Sequence, residues 1–307
     1  MVRSGLMPGP QYRGRFAPSP TGPLHFGSLI AAMGSYLQAR SQNGEWWLRI
    51  DDIDPPREVA GAADSILRTL ENFGFEWDGP VSYQSLHSER YLAAIEQLQQ
   101  ADRLYPCICS RKDIQASEII AGIYPGTCRQ GISDHQSKYQ LRIKVENNVV
   151  EFTDGIQGKQ LFDLASEVGD FTILRSDGYF SYQLATAIDD AEQEMTEVVR
   201  GCDLLDSTAR QIYIQQQLGL ITPHYAHLPV ALNSEGQKLS KQTLARELDT
   251  TKAALSLYEA LRFLGQSPPE DLKTANINDI WQWAHTHWQI KQVPRQASIP
   301  CDTLQSA

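Results

Sequence analysis

Pro18, Pro20 and Pro23 fall within one stretch, RFAPSPTGPLHFGS, residues 15–28. No regular element tolerates three prolines at that spacing, because each ring fixes φ and removes a backbone N–H. The stretch is therefore a stiff turn. Before it, YRGRF (12–16) reads as a strand; after it, Leu29, Met33 and Leu37 recur every four residues and mark one face of a helix over 25–42. Gly22 and Gly27 let backbone or a ligand approach closely. A helix starting near His25 aims unpaired N–H groups and the positive end of its dipole at the strand end, a ready anion site to which His25 adds a donor. Read alone, such a proline-rich turn between strand and helix is usually just a turn.

Strand and helix keep alternating down the chain. EWWLRID (45–51) reads as a strand, and residues 58–74 and 86–102 read as helices with apolar positions three and four apart. That order predicts an α/β protein with a mostly parallel sheet and right-handed crossovers, whose ligands bind beyond the carboxyl ends of the strands. Arg15 and Asp51 fall at such ends. Between 104 and 170 the rhythm breaks. YQLRIKV and VVEFTDG alternate beside a cluster of cysteines, which predicts a small inserted module with β character. FTILRSDG, a helix over 180–191, the strand EMTEVVRG and a helix over 207–219 then resume the pattern. The C-terminal stretch reads as helical, with Leu255, Leu261 and Trp281 as expected core positions.

A chain of 307 residues, 41% hydrophobic and 21% charged, can bury a sizeable core. It contains no apolar block suited to a signal peptide or a membrane span, so a cytoplasmic protein is expected. Three of the five cysteines fall in residues 107–128, which suits a reducing compartment and thiolates held for a metal better than a disulfide framework. The net charge of −10 opposes evenly spread phosphate binding. Local basic groups, Arg111/Lys112 and Lys238/Lys241/Arg246, keep a nucleic-acid partner open.

APSPTGPLHFGS resembles the HIGH region of class I aminoacyl-tRNA synthetases, with His25-Phe26-Gly27-Ser28 in its place, and KLSKQ (238–242) resembles their KMSKS loop. RIDDIDPPRE (49–58), YFSYQLATAIDDA (179–191) and VVRGCDLLDSTARQ (198–211) are similar to the glutamate-specific branch. The likeness runs from 12 to 245 and is strongest with truncated members that lack an anticodon-binding region. It implies a Rossmann-like catalytic core in two halves, 1–104 and 171–235, around an inserted zinc-binding module, 105–170. The KMSKS-like loop and a helical region, 236–307, would follow. The implied enzyme is an ATP-dependent ligase that activates L-glutamate as glutamyl-adenylate with ATP and Mg2+. It would transfer glutamate to queuosine at the wobble position of the tRNA(Asp) anticodon, leaving the 3′ end uncharged. A monomer is expected, and a globule of this length spans about 50 Å, too little to read an anticodon while charging the distant 3′ end. A compact synthetase charging a 3′ end and a non-catalytic tRNA-binding paralogue are the competing expectations.

Activating a carboxylate needs in-line attack on the α-phosphate while negative charge grows on phosphate oxygens, so the protein mainly positions groups and supplies positive charge. The resemblance makes His25 and Lys241 catalytic and places Pro18, His25, Gly27, Ser28, Lys238, Ser240 and Lys241 around ATP. Read alone, KLSKQ is a solvated lysine-rich hairpin. The amino acid falls to Arg15, Ala17, Ser19, Asp51, Tyr182 and Arg200. Either arginine can take the γ-carboxylate in two-bonded geometry; Asp51 would meet the ammonium and Tyr182 would hydrogen-bond the amino acid. Read alone, they are surface ion pairs, a capping carboxylate and a half-buried core tyrosine. Asp51 departs from the glutamate more common in the family; one methylene shorter, it is expected to act through water or to yield to Asp52 or Asp54. Gln242 replaces the last serine of KMSKS at a tolerant position.

Cys107, Cys109 and Cys128 supply three thiolates, and tetrahedral zinc needs a fourth ligand. The resemblance gives Tyr124, in IYPGTC, for that place; three buried thiols are the alternative. Zinc there would staple the inserted module and take no part in catalysis. Cys202 and Cys301 read as isolated structural thiols, and His135, His224 and His227 carry no assigned role.

Overall fold

In the computed structural model, which describes residues 11–116, 123–132, 138–146, 149–233, 235–238 and 246–301, the proline turn links β1 (Arg13–Phe16) to α1 (Phe26–Ser41). Within it Gly22 sits at φ 136°, a conformation that side chains with a Cβ avoid. β2 (Glu45–Ile50) runs parallel to β1, with Arg15 opposite Trp47. α2 (Ala62–Asn72) crosses to the short β3 (Ser82–Tyr83), parallel to β2, and α3 (Ser88–Gln100) follows.

The inserted segment is antiparallel, as its period-two runs predict. β4 (Leu104–Cys107) leads to the short α4 (Arg111–Ala116) and to β5 (Gln140–Ile143). β6 (Val149–Asp154) and β7 (Gly158–Asp163) form a hairpin; α5 (Leu164–Glu167) and β8 (Phe171–Leu174) come next. β5 lies between β4 and β8.

The parallel order then resumes. α6 (Tyr182–Glu192) precedes β9 (Glu197–Gly201), which lies beside β1, where Thr196 N–H donates to the Arg13 carbonyl at 2.9 Å. α7 (Leu205–Leu218) crosses to β10 (His224–Leu228), parallel to β9, and β11 (Val230–Leu232) follows. α8 (Ala253–Phe263), α9 (Ile277–His287) and β12 (Ser298–Pro300), parallel to β11, complete the fold.

α1 is buried nearly all round, because the parallel strands cover one side and α8 and α9 the other. Gly34 permits the close approach to β10: a Cβ there would stand 2.6 Å from Leu228 Cδ1. Behind α1, the rings of Tyr36, Trp46, Phe75 and Trp281 pack with centroids 5.0–5.6 Å apart. Trp281 Nε1 also donates to the Phe73 carbonyl, and Trp288 Nε1 to Gln38 Oε1. Leu261 and Trp281 occupy the core as expected; Leu255 is only half-buried. On α8 the inward stripe runs through Ala253, Leu257, Ala260 and Leu261, and Leu255 falls out of phase with it. A second core gathers α3, α6 and α7 against β5 and β8. Among the described residues no helix is long and apolar enough to cross a membrane.

Candidate active site

The two ends of the lysine-rich stretch are both anchored beside the start of α1. Glu247 forms an antiparallel bridge with His25, Leu248 N–H donates to the Leu24 carbonyl at 3.0 Å, and Lys238 bridges to Leu232. Lys238 lines the same cleft, of about 470 Å³, as His25, Gly27 and Ser28. Pro18, Ala17 and Ser19 line it from the turn, and Arg15, Tyr182 and Arg200 from the sheet side. Ser240, Lys241 and Gln242 lie outside the described residues, as does His135.

His25 is the N-cap of α1. Its Nδ1 accepts from Ser28 N–H at 3.3 Å, and Ser28 Oγ accepts from His25 N–H at 3.5 Å. An accepting Nδ1 puts the neutral ring's proton on Nε2, which makes that nitrogen a donor.

Behind the cleft lies a buried network of charges. Arg15 meets Asp190 with two bonds, Nε to Oδ1 at 3.0 Å and Nη2 to Oδ2 at 2.8 Å. Arg49 Nη1 shares Asp190 Oδ1 at 2.7 Å, and its Nε donates to Asp51 Oδ1 at 2.7 Å. Asp189, the neighbouring carboxylate on α6, accepts from Gln84 and Tyr91 and pairs with His87. Burial alone would raise Asp190, but the two arginines hold it down at about 2. Asp51 goes the other way, pushed up to about 6 by burial, because Arg49 divides its charge among three carboxylates. Asp51 Oδ2 is buried and has no hydrogen-bond partner among the described residues.

Arg200 has different company. It donates to Gln211 Oε1 at 2.6 Å, Thr208 Oγ1 at 2.8 Å, the Tyr182 hydroxyl at 3.3 Å and His227 Nε2 at 3.4 Å, all neutral acceptors.

Arg15 and Arg200 are thus buried and not surface ion pairs, and Asp51 is an ion-pair partner and not a helix cap. Asp51 lines a second cleft, of about 750 Å³, which joins the first at Ser19, Thr21 and Tyr182. The expected substitutes for Asp51 are engaged elsewhere: Asp52 accepts from Ser85 N–H and Oγ, and Asp54 pairs with Arg57 and Arg175. Reading the sequence residue by residue gave no role to Arg49, Asp189 and Asp190. Two acids closing the apolar run LATAI in α6 were the available signal, since buried carboxylates demand cations.

With this cleft in view, residues 11–294 match the family described as tRNA synthetases class I (E and Q), catalytic domain. The chain belongs to that family. It is accordingly an ATP-dependent ligase. It is 55% identical to a glutamyl-Q tRNA(Asp) synthetase of Dechloromonas aromatica (strain RCB), over 94% of this chain and 97% of that protein. A protein of the same name from Aromatoleum aromaticum is 52% identical, over 94% of this chain and 92% of the relative. The crystal structure of a glutamate tRNA ligase from Elizabethkingia meningosepticum in complex with its amino acid superposes with a TM-score of 0.78 at 25% identity. That likeness covers 94% of this chain and 66% of the ligase, so the chain spans about two thirds of that structure's length.

In this synthetase-family chain, Cys107 at the end of β4 meets Cys109, Tyr124 and Cys128 in a third small core. The three Sγ atoms lie within 4.8 Å of one another, with Cys109 and Cys128 3.5 Å apart. The Tyr124 hydroxyl is 3.3 Å from Cys107 Sγ and 3.7 Å from Cys109 Sγ. Tetrahedral zinc with thiolate bonds of about 2.3 Å separates its sulfurs by about 3.8 Å, so the donor set fits that ion. Arg142 places its guanidinium 4.0 Å from the Tyr124 ring and donates to Cys107 Sγ at 3.2 Å. Cys202 is half-buried in the turn after β9 and is pushed up to about 11 by burial, and Cys301 is buried. His224 is exposed, whereas His227 is wholly buried against Asp154.

Proposed function

We propose that this chain condenses L-glutamate with ATP to glutamyl-adenylate and transfers glutamate to queuosine at the wobble position of tRNA(Asp). The observation that carries the reading is the pairing of near-full-length relatives of that name with a cleft that His25, Gly27 and Ser28 of the HIGH-like stretch line together with Lys238 of the KMSKS-like one. Both ends of a nucleotide can be met there.

In this reading the α1 N-terminus and His25 Nε2–H face the phosphates, with Lys238 and Lys241 adding positive charge and Mg2+ bound with ATP. Arg200 and Tyr182 hold a glutamate carboxylate, and Arg15 adds a second positive charge at the same wall. Asp51, with an oxygen unpartnered among the described residues and a place on the wall of the larger cleft, receives the ammonium. The larger cleft takes the nucleoside, and Arg57, Arg142, Arg175 and Arg210 on its walls bring cations to a chain of net charge −10. Zinc on Cys107, Cys109, Cys128 and Tyr124 braces the inserted module beside that cleft, to which Cys109 contributes a wall.

The test offers radiolabelled glutamate and ATP to tRNA(Asp) with queuosine and to the same tRNA lacking it. Label confined to the queuosine nucleoside after digestion supports the reading. Equal labelling of both tRNAs, or label on the 3′ adenosine, overturns it.

A further inference from the structure

Arg15 carries its counter-charge in direct contact, and Arg200 does not. Among the described residues Arg200 makes no ion pair, although it is 4% exposed. A buried cation without a counter-charge is costly, so the surroundings of its neutral partners decide how it persists. Arg200 and His227 stand in register on the parallel strands β9 and β10, which sends both side chains to one face of the sheet.

An imidazole beside a guanidinium attracts it only through a bare nitrogen. Asp154, the last residue of β6, settles which nitrogen is bare. Its Oδ2 lies 2.6 Å from His227 Nδ1, while its Oδ1 accepts backbone N–H groups from Ile156, Gln157 and His227 itself at 3.0, 2.8 and 3.0 Å. A carboxylate pinned in this way places the imidazole proton on Nδ1 and leaves Nε2 an acceptor. Thr208 adjoins both: its hydroxyl accepts from Arg200 Nη2 and stands 2.9 Å from His227 Nε2, with the Leu204 carbonyl 3.2 Å away as a second acceptor for its one proton.

We infer that Asp154 and His227 are positioning residues for Arg200. Asp154 fixes the imidazole tautomer, and the bare Nε2 orients the guanidinium at the cleft wall. The negative charge that balances Arg200 thus sits one imidazole away, where it occupies none of the guanidinium donors. Among the described residues Gln211, Thr208, Tyr182 and His227 take four of the five N–H donors of Arg200, and the fifth, on Nη1, is left beside the Tyr182 hydroxyl for a substrate carboxylate. A carboxylate in direct contact, as Asp190 is with Arg15, would engage that donor face itself. Burial lowers His227 below its ordinary range against the opposing pull of Asp154, so the ring stays neutral beside the arginine.

The inference rests on Arg200 serving as the carboxylate ligand of the proposed reaction, and two measurements separate the claims. In glutamate-dependent ATP–pyrophosphate exchange, Asp154→Asn should raise the glutamate KM by about 10-fold or more, the cost of losing an orienting outer partner, and leave the ATP KM unchanged. His227→Gln keeps an acceptor near the Nε2 position whatever the tautomer, so adding Asp154→Asn to it should cost nothing further. An equal penalty in both backgrounds would make Asp154 a hairpin anchor alone and overturn the inference. The second measurement needs no activity: 15N NMR of the full chain should show His227 with Nδ1 protonated and Nε2 bare, and Asp154→Asn should shift the Arg200 Nε–H signal. A proton on Nε2 of the unaltered chain overturns the inference, whereas absent exchange with the expected tautomer overturns only the proposed reaction.

Discussion

Glu247 and His25 face each other across an antiparallel backbone bridge, so the chain leaving the lysine-rich stretch returns to the first turn of α1. His25 therefore has two duties, one to the helix and one to the cleft. Removing the ring by His25→Ala should cost about 1 kcal/mol of stability through the lost cap. It should also slow ATP–pyrophosphate exchange by about 100-fold, the scale for losing one donor to developing charge. His25→Asn keeps a capping oxygen, so urea unfolding should show near-normal stability while exchange stays low. Normal exchange in the asparagine variant would end the assignment of His25 to the phosphates.

Asp190 is the common counter-ion of Arg15 and Arg49, and each pair is almost fully buried. Asp190→Asn leaves two buried cations short of charge and should destabilise the fold by about 3–5 kcal/mol, read from chemical denaturation. The acid limb follows from the same pairing. With a folded value of about 2 against 3.8, Asp190 contributes stability above pH 4 that is lost as pH falls through 2. The variant should show a flatter decline across that window.

Asp51 works in the opposite sense. Its folded value, about 6, lies above 3.8, so the folded state holds the proton more tightly and stability falls as pH rises from about 4 through 6. Asp51→Asn should remove that decline, worth about 3 kcal/mol for two pH units, while weakening glutamate binding. In the unaltered chain the glutamate KM should rise as pH drops below 6. A KM flat from pH 5 to 8 would remove Asp51 from the ammonium.

Metal analysis of purified protein should find about one zinc per chain, and Cys128→Ser should lose it. Chelation should lower the melting temperature while leaving exchange within severalfold, because of the four candidate ligands Cys109 alone lines the larger cleft among the described residues. Tyr124→Phe keeps the ring under Arg142 but deletes the hydroxyl, so it should weaken zinc retention without unfolding the module. Full zinc retention in that variant would exclude tyrosine as the fourth ligand.

Periodicity carried the fold where elements are long: the helices at Leu29–Leu37 and Leu205–Leu218 and the strand EWWLRI were legible because apolar spacing and chain length agree there. β10 was not, because HYAHL is short and does not alternate, its neighbours burying four of its five residues. β7 was not legible either: its burial alternates, but the letters of GKQLFD do not, since Leu161 and Phe162 are adjacent and Leu161 is exposed. At the cleft, Arg15, His25 and Lys238 could be named from their motifs. Asp190 could not be paired with Arg15, nor Asp154 with His227, since 175 and 73 residues separate the partners and only packing closes those distances.

The ring cluster of Tyr36, Trp46, Phe75 and Trp281 draws on α1, β2, the loop after α2, and α9. The C-terminal helices are therefore no appendage hung on a finished catalytic body. Trimming the chain inside α9 would strip the wall from the helix whose first turn lines the proposed nucleotide cleft, and damage at one end of the polypeptide would be felt as lost grip at the other. Heat should dismantle these layers together, in a single calorimetric peak.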